Sequence, residues 1–239
     1  MPERGQSIVT IESRWERGLN ASADGSRTVR QRALPPPPAK LLGVSRSSSL
    51  FRTDSEGLRA RAAIAGLLER DDVLILDTET TGMGKSAEVI EVSVINTRGD
   101  VLLDTFVKPK VPRMNRFAQR VHGISLGMLT DAPSWPEVLP ELASLADRRT
   151  VLAWNASFDA SMLAQNSLAW DLPHPRWLFV CAMRLYAKQR GIKIRGLHKC
   201  VVDENLSHLL ETHRSHRALA DVVFVLEVLR SSVKAGTPL

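Results

Sequence analysis

Two acids stand one residue apart at the end of an apolar run. Residues 73–84 read VLILDTETTGMG, so Asp77 and Glu79 follow Val73, Leu74, Ile75 and Leu76. In an extended chain residues i and i+2 point to one face, which makes the two carboxylates project together with Thr78 opposite. Thr80, Thr81 and Gly82 follow, and Gly82 lets the chain turn sharply. Holding two like charges out of water costs on the order of several kcal/mol unless something compensates. A hard divalent cation, Mg²⁺ or Mn²⁺, does so through carboxylate oxygens. The plainer reading is a strand end with a solvated Glu79, and one Asp-x-Glu does not decide between them.

Two later segments supply further candidates. LAWNASFDASML places Asn155 after a short apolar run, where it suits the N-cap of a helix. Asp159 then falls in the first turns of that helix, with Phe158 beside it. The helix dipole favours an acid there as readily as a metal does. HRSHRALADVVFVLEVL sets Asp221 among Ala218, Leu219, Ala220, Val222, Val223 and Phe224. An acid so surrounded needs a partner. His216 lies five residues earlier, about 140° away on a regular helix. It cannot share a helix face with Asp221, which places it on a loop or first turn. From there it can swing toward a reacting water, or it is an exposed histidine at a helix start.

The elements that must position these residues form an α/β pattern. Leu58, Ala62, Ala65 and Leu68 share a face in a predicted helix over 56–70. Strands are predicted over 73–77, 89–95 and 101–107, the last two joined by the turn Arg98, Gly99 and Asp100. Short connections make these an antiparallel meander. Beyond Pro112 the pattern becomes helical. A helix over 135–146 tolerates Pro136 in its first turn. Strands at 150–153 and 179–181 alternate with helices at 156–165, 183–189, 196–202 and 217–233. Strands first, then alternation, gives a mixed sheet flanked by helices.

Bulk properties narrow the class. The chain has 239 residues, 44% hydrophobic and 24% charged, an ordinary globular balance. It contains no apolar run of the roughly 18–20 residues that cross a bilayer, and no secretory h-region. Cys181 and Cys200 form neither a disulfide framework nor a zinc spacing. The expectation is a cytoplasmic protein with no membrane partner. The net charge of +6 is uneven: residues 1–50 carry eight basic and four acidic residues, against 24 and 22 in 51–239. Four prolines at 35–38, serines at 47–49 and little apolar periodicity predict that residues 1–55 are a disordered basic extension ahead of a domain over 56–239. Such an extension either raises affinity for polyanions or is simply solvated.

Together the three segments resemble the DEDDh family of 3′–5′ exonucleases, in the DnaQ-like group that includes the proofreading epsilon subunit of bacterial DNA polymerase III. LDTETTG at 76–82 is similar to the first exonuclease motif, NASFD at 155–159 to the second and HRALAD at 216–221 to the third. VIEVSVI at 89–95 and VHGIS at 121–125 also match. The resemblance implies a ribonuclease-H-like fold with a mixed five-stranded sheet. It implies that Asp77, Glu79, Asp159 and Asp221 are metal-site acids for two Mg²⁺ or Mn²⁺ ions and that His216 is the general base. Thr78, Thr80, His122, Asn155 and Phe158 fall where relatives meet the terminal nucleotide, although His122 equally suits a folded-loop role. The chain departs from the pattern at Trp154, where relatives often have His, and at Cys181, where they often have Asp.

The implied activity is metal-dependent hydrolysis from a single-stranded 3′ end, DNA favoured, releasing nucleoside 5′-monophosphates in proofreading or repair. A DNA polymerase or other tethering protein is the implied partner. An RNA-trimming exoribonuclease and a catalytically silent nucleic-acid-binding module are the alternatives.

Overall fold

The computed structural model describes residues 48–174, 176–213 and 216–234, all within one compact unit, Ser45–Leu239. Most of the expected 1–55 extension lies outside the described residues. Helix α1 runs over Ser48–Leu68, so helical backbone begins earlier than the apolar face at 56–70 predicts.

Five strands form a sheet in the order β3-β2-β1-β4-β5. They are β1 (Val73–Thr80), β2 (Val89–Asn96), β3 (Val101–Phe106), β4 (Thr150–Ala153) and β5 (Leu178–Cys181). β1, β2 and β3 pair antiparallel, as the short turns require, and β4 and β5 join in parallel. The predicted mixed sheet is therefore present. β1 runs three residues past the predicted end at 77, carrying both acids inside the strand. There Asp77 faces Ser93 and Glu79 faces Glu91 of β2.

Alternation along β1 decides which layer covers each face. Val73 and Ile75, with Ile95 of β2, pack under α5 (Ala182–Arg190), α6 (Leu197–Asp203) and α8 (Ala218–Lys234). Leu74 and Leu76, with Val92 and Val94, pack under α3 (Trp135–Ala146) and α4 (Ala156–Ala169). Burial on both faces explains why β2 is inaccessible along its whole length. α3 starts at the predicted residue because Ser134 and Glu137 form a reciprocal capping box and Pro136 needs no donor there.

Two short helices were not separable by periodicity. α2 (Arg116–His122) and α7 (His208–Thr212) are too short to show a face. Local caps set α2 instead: Asn115 Oδ1 accepts from the Phe117 and Ala118 amides, and Gly123 closes the helix at φ 70°. Among the described residues no helix is long and apolar enough to cross a membrane.

Leu142 is fully buried between α3 and the sheet. Leu142→Ala is expected to cost about 2–5 kcal/mol, read as a lower urea midpoint at unchanged slope. A loss below about 1 kcal/mol would mean that α3 does not carry this core.

Candidate active site

The end of β1 is where the two layers meet. Asp77 and Glu79 point toward the α8 side, and Asp221 reaches them from the first turn of α8. One carboxylate oxygen from each of the three lies within 4.8 Å of the others. Thr78, on the opposite face, donates its hydroxyl to Asp159 Oδ1 of α4 at 2.9 Å. Parallel pairing puts the C-terminal ends of β1 and β4 side by side, so α4, which follows β4, begins at the same edge. Asp159 thus approaches around the strand end. It is not in the 4.8 Å group, but its charge acts on Asp77.

The electrostatics follow from burial and from repulsion among the carboxylates. Burial pushes the Asp77 carboxyl well above its ordinary range, and the charges of Asp159, Asp221 and Glu79 add to this. Burial, then Asp221 and Glu91, push Glu79 up to about 8, against a smaller opposing effect of Arg217. Asp159 is pushed up to about 7, mainly by burial, although the Thr78 hydrogen bond favours its charged form. Buried acids this close together resist ionising unless a positive charge is brought to them. The donor set fits a hard divalent cation held by Asp77, Glu79 and Asp221.

His216 sits two residues before α8, outside the helix as its spacing from Asp221 requires. Its φ is +56°, a left-handed conformation uncommon for a residue with a Cβ. Its imidazole packs edge-on against that of His198, with ring centroids 4.2 Å apart. Burial, then His198, lower its pKa, against an opposing effect of Asp221. The ring is therefore neutral near pH 7 and able to accept a proton.

Glu91, Arg217 and His198 carry weight that the motifs did not assign. Glu91 is buried on β2 directly across from Glu79. The Arg217 guanidinium holds both its oxygens, and Glu91 Oε2 accepts from the Ala218 amide at 3.0 Å. One side chain thereby neutralises an arginine and caps α8. The signal was present, since an acid within VIEVSVI must find a partner. His198 Nε2 lies 3.4 Å from Asp221 Oδ1, and nothing in GLHKC distinguishes it from an ordinary helix residue.

The remaining candidates divide. Thr78 and Thr80 are buried, Thr80 donating to the Gly82 carbonyl at 2.6 Å. Phe158 is half-buried against the α4-side core. His122 is buried; its Nδ1 accepts from the Ile124 amide at 2.9 Å, and its Nε2 has no partner among the described residues. Asn155 precedes α4 as expected but its side chain does not cap the helix. Its Oδ1 accepts from the Ser157 hydroxyl at 3.3 Å instead, and its own side chain stays exposed. At the two departures, the Trp154 indole donates to the Arg195 carbonyl and the Cys181 thiol to the Trp154 carbonyl. Both are structural contacts.

Comparison with known proteins places the site in context. A family model described as Exonuclease matches residues 74–229, which include all four acids and His216. An uncharacterised exonuclease of Escherichia phage 186 is 32% identical over 176 residues, covering 70% of this chain and 90% of the phage protein. The PolC-type DNA polymerase III of Caldanaerobacter subterraneus subsp. tengcongensis is 33% identical over 164 residues, 66% of this chain. The match spans only 11% of that polymerase. The nuclease domain of 3′hExo, a DEDDh family member bound to rAMP, shares the fold with a TM-score of 0.59 at 16% identity, covering 69% of this chain and 92% of that one.

The acids give a pH signature. Glu79 and Asp159 bind protons more tightly folded than unfolded, so their contribution to stability is fully present below about pH 4. It is lost as pH rises through about 7 for Asp159 and about 8 for Glu79. In EDTA, the thermal midpoint of the wild type relative to Glu79→Gln is expected to fall between pH 5 and 8, and a divalent cation should reverse the fall. A constant difference across that window would show that Glu79 is not shifted.

Proposed function

The chain belongs to the DnaQ-like exonuclease family matched over residues 74–229, and we propose that it is a Mg²⁺- or Mn²⁺-dependent 3′–5′ exonuclease acting on single-stranded DNA ends. The observation that carries this reading is the convergence of Asp77, Glu79 and Asp221 within 4.8 Å, with Asp159 and His216 beside them. Similarity to polymerase III proteins, including the epsilon subunit of Buchnera aphidicola over 103 residues, supports a role in proofreading or repair with a polymerase as partner. We take the exonuclease domain to span 56–239, with residues 1–55 as a basic extension whose last residues, from Ser48, begin α1.

Asp77, Glu79 and Asp221 would hold the cations, with Asp159 at the periphery through Thr78. When bound, a pair of such ions activates water and stabilises charge on the phosphate and the leaving oxygen. The chain's own part is to position and to move a proton. Neutral His216 accepts the proton of the attacking water, and its pKa is lowered in the direction that keeps it a free base. Thr80, Phe158 and His122 offer polar and apolar contacts to the terminal nucleotide, and Asn155 lies exposed at the same edge. The product is a nucleoside 5′-monophosphate.

A digestion panel tests this: 5′-labelled single-stranded DNA, duplex DNA and RNA, each with Mg²⁺, Mn²⁺ or EDTA. Stepwise shortening of single-stranded DNA from the 3′ end, abolished by EDTA, is expected. Faster trimming of RNA would favour the exoribonuclease alternative. Asp77→Ala is expected to lower turnover by about 10³-fold or more; substantial activity in that variant would remove the metal assignment. His216→Ala is expected to lower it by about 10²–10⁴-fold with cation affinity unchanged in calorimetry. Collapse of that affinity would make His216 a ligand.

A further inference from the structure

The segment between Asp104 and Asp131 contains no acidic residue and carries Lys108, Lys110, Arg113, Arg116 and Arg120. Both lysines are engaged: Lys108 Nζ donates to the Thr130 carbonyl, and Lys110 Nζ donates to that of Ala169 and lies over the Trp170 ring. The three arginines have no carboxylate partner among the described residues. Within α2, Arg116 and Arg120 form one i,i+4 row, and Phe117 and Val121 form the next. Phe117 is 73% and Val121 52% exposed, and the Arg120 guanidinium lies over the Phe117 ring at 5.3 Å. An exposed aromatic ring beside arginines that lack a carboxylate partner among the described residues is a poor surface for water alone and a good one for bases joined by phosphates.

This face is continuous with the site. The Asn115 amide donates to the Thr81 carbonyl at 2.8 Å, two residues past Glu79. Gly82 allows the approach, because a Cβ there would stand 3.3 Å from that of Asn115. Between these segments lies a cavity of about 560 Å³, lined by Thr81, Met83, Val111, Arg113 and Met114 among others. α2 starts beside this cavity and ends at His122, whose buried ring feels the charges of Glu91, Arg217 and His216.

We propose that the cavity and the outward face of α2 bind the nucleotides preceding the 3′-terminal one in a single strand. One base stacks on Phe117, and phosphates meet Arg113, Arg116 and Arg120. The inference deepens the exonuclease reading above and rests on it for strand polarity. Charge complementarity selects a nucleic acid over a protein partner, since an apolar docking patch has no need of three arginines that lack a carboxylate partner among the described residues.

The test separates binding from chemistry in the full-length protein. Affinity for a fluorescent single-stranded oligothymidylate is measured in EDTA. Turnover of the p-nitrophenyl ester of thymidine 5′-monophosphate, which has no preceding nucleotide, is measured with Mn²⁺. Phe117→Ala and Phe117→Leu are both expected to weaken oligonucleotide binding by about 5–150-fold, the scale of one lost stacking contact. Arg116→Ala with Arg120→Ala should reduce the slope of log affinity against log salt by about 1.4, at roughly 0.7 per phosphate contact. Turnover of the small ester should stay unchanged in all of these variants, with circular dichroism confirming the fold. Unchanged oligonucleotide affinity, or full retention by Phe117→Leu, would overturn the stacking assignment, the latter pointing to an apolar protein contact. Loss of ester turnover would overturn the separation from the site. If the wild type bound the oligonucleotide but hydrolysed neither substrate, the exonuclease reading would fail while the binding face stood.

Discussion

Repulsion among carboxylates at one end of β1 is the constraint that the rest of the molecule has to satisfy. Asp77 and Glu79 arrive in one strand, Asp221 comes from the helix layer on one side and Asp159 from the layer on the other. No single element could hold all four, because a strand presents only alternate residues to a face. The mixed sheet resolves this. Its parallel half starts α4 at the same edge where the antiparallel half ends β1. The hydrophobic clusters on the two faces then fix both helices firmly enough to keep like charges close.

Glu91 shows how the fold limits the damage. Glu91, directly opposite Glu79, adds to the repulsion, but it is also the group that binds Arg217 and the α8 amide. The strand pair and the helix that carries Asp221 are thereby tied at one point. Breaking such a buried pair from one side leaves an uncompensated charge and is far more damaging than its net contribution suggests.

Much of this was legible in the sequence. The acids, their strand and the helix at α8 follow from period and spacing, and α3 follows from its apolar face with Pro136 in the first turn. The departures have physical causes. β1 outruns its predicted end because pairing with β2, not hydrophobicity, sets strand length, so the two acids are strand residues. Asn155 does not cap α4: its backbone, at φ −115° and ψ 67°, is not in the extended conformation of a capping residue. Glu91 could have been inferred from its burial among Val and Ile. His198 could not, since its place beside His216 depends on how α6 packs on α8, a tertiary fact with no local signature.

The left-handed backbone at His216 sets stability against the proton transfer proposed for this residue. A residue with a Cβ pays on the order of 1–2 kcal/mol for that conformation, and glycine pays almost nothing. The substitution that would relax the backbone most is the one that deletes the imidazole. Under the role proposed for His216, selection for thermal robustness alone would favour glycine here and lose the proton acceptor, while selection for turnover would keep the strained histidine.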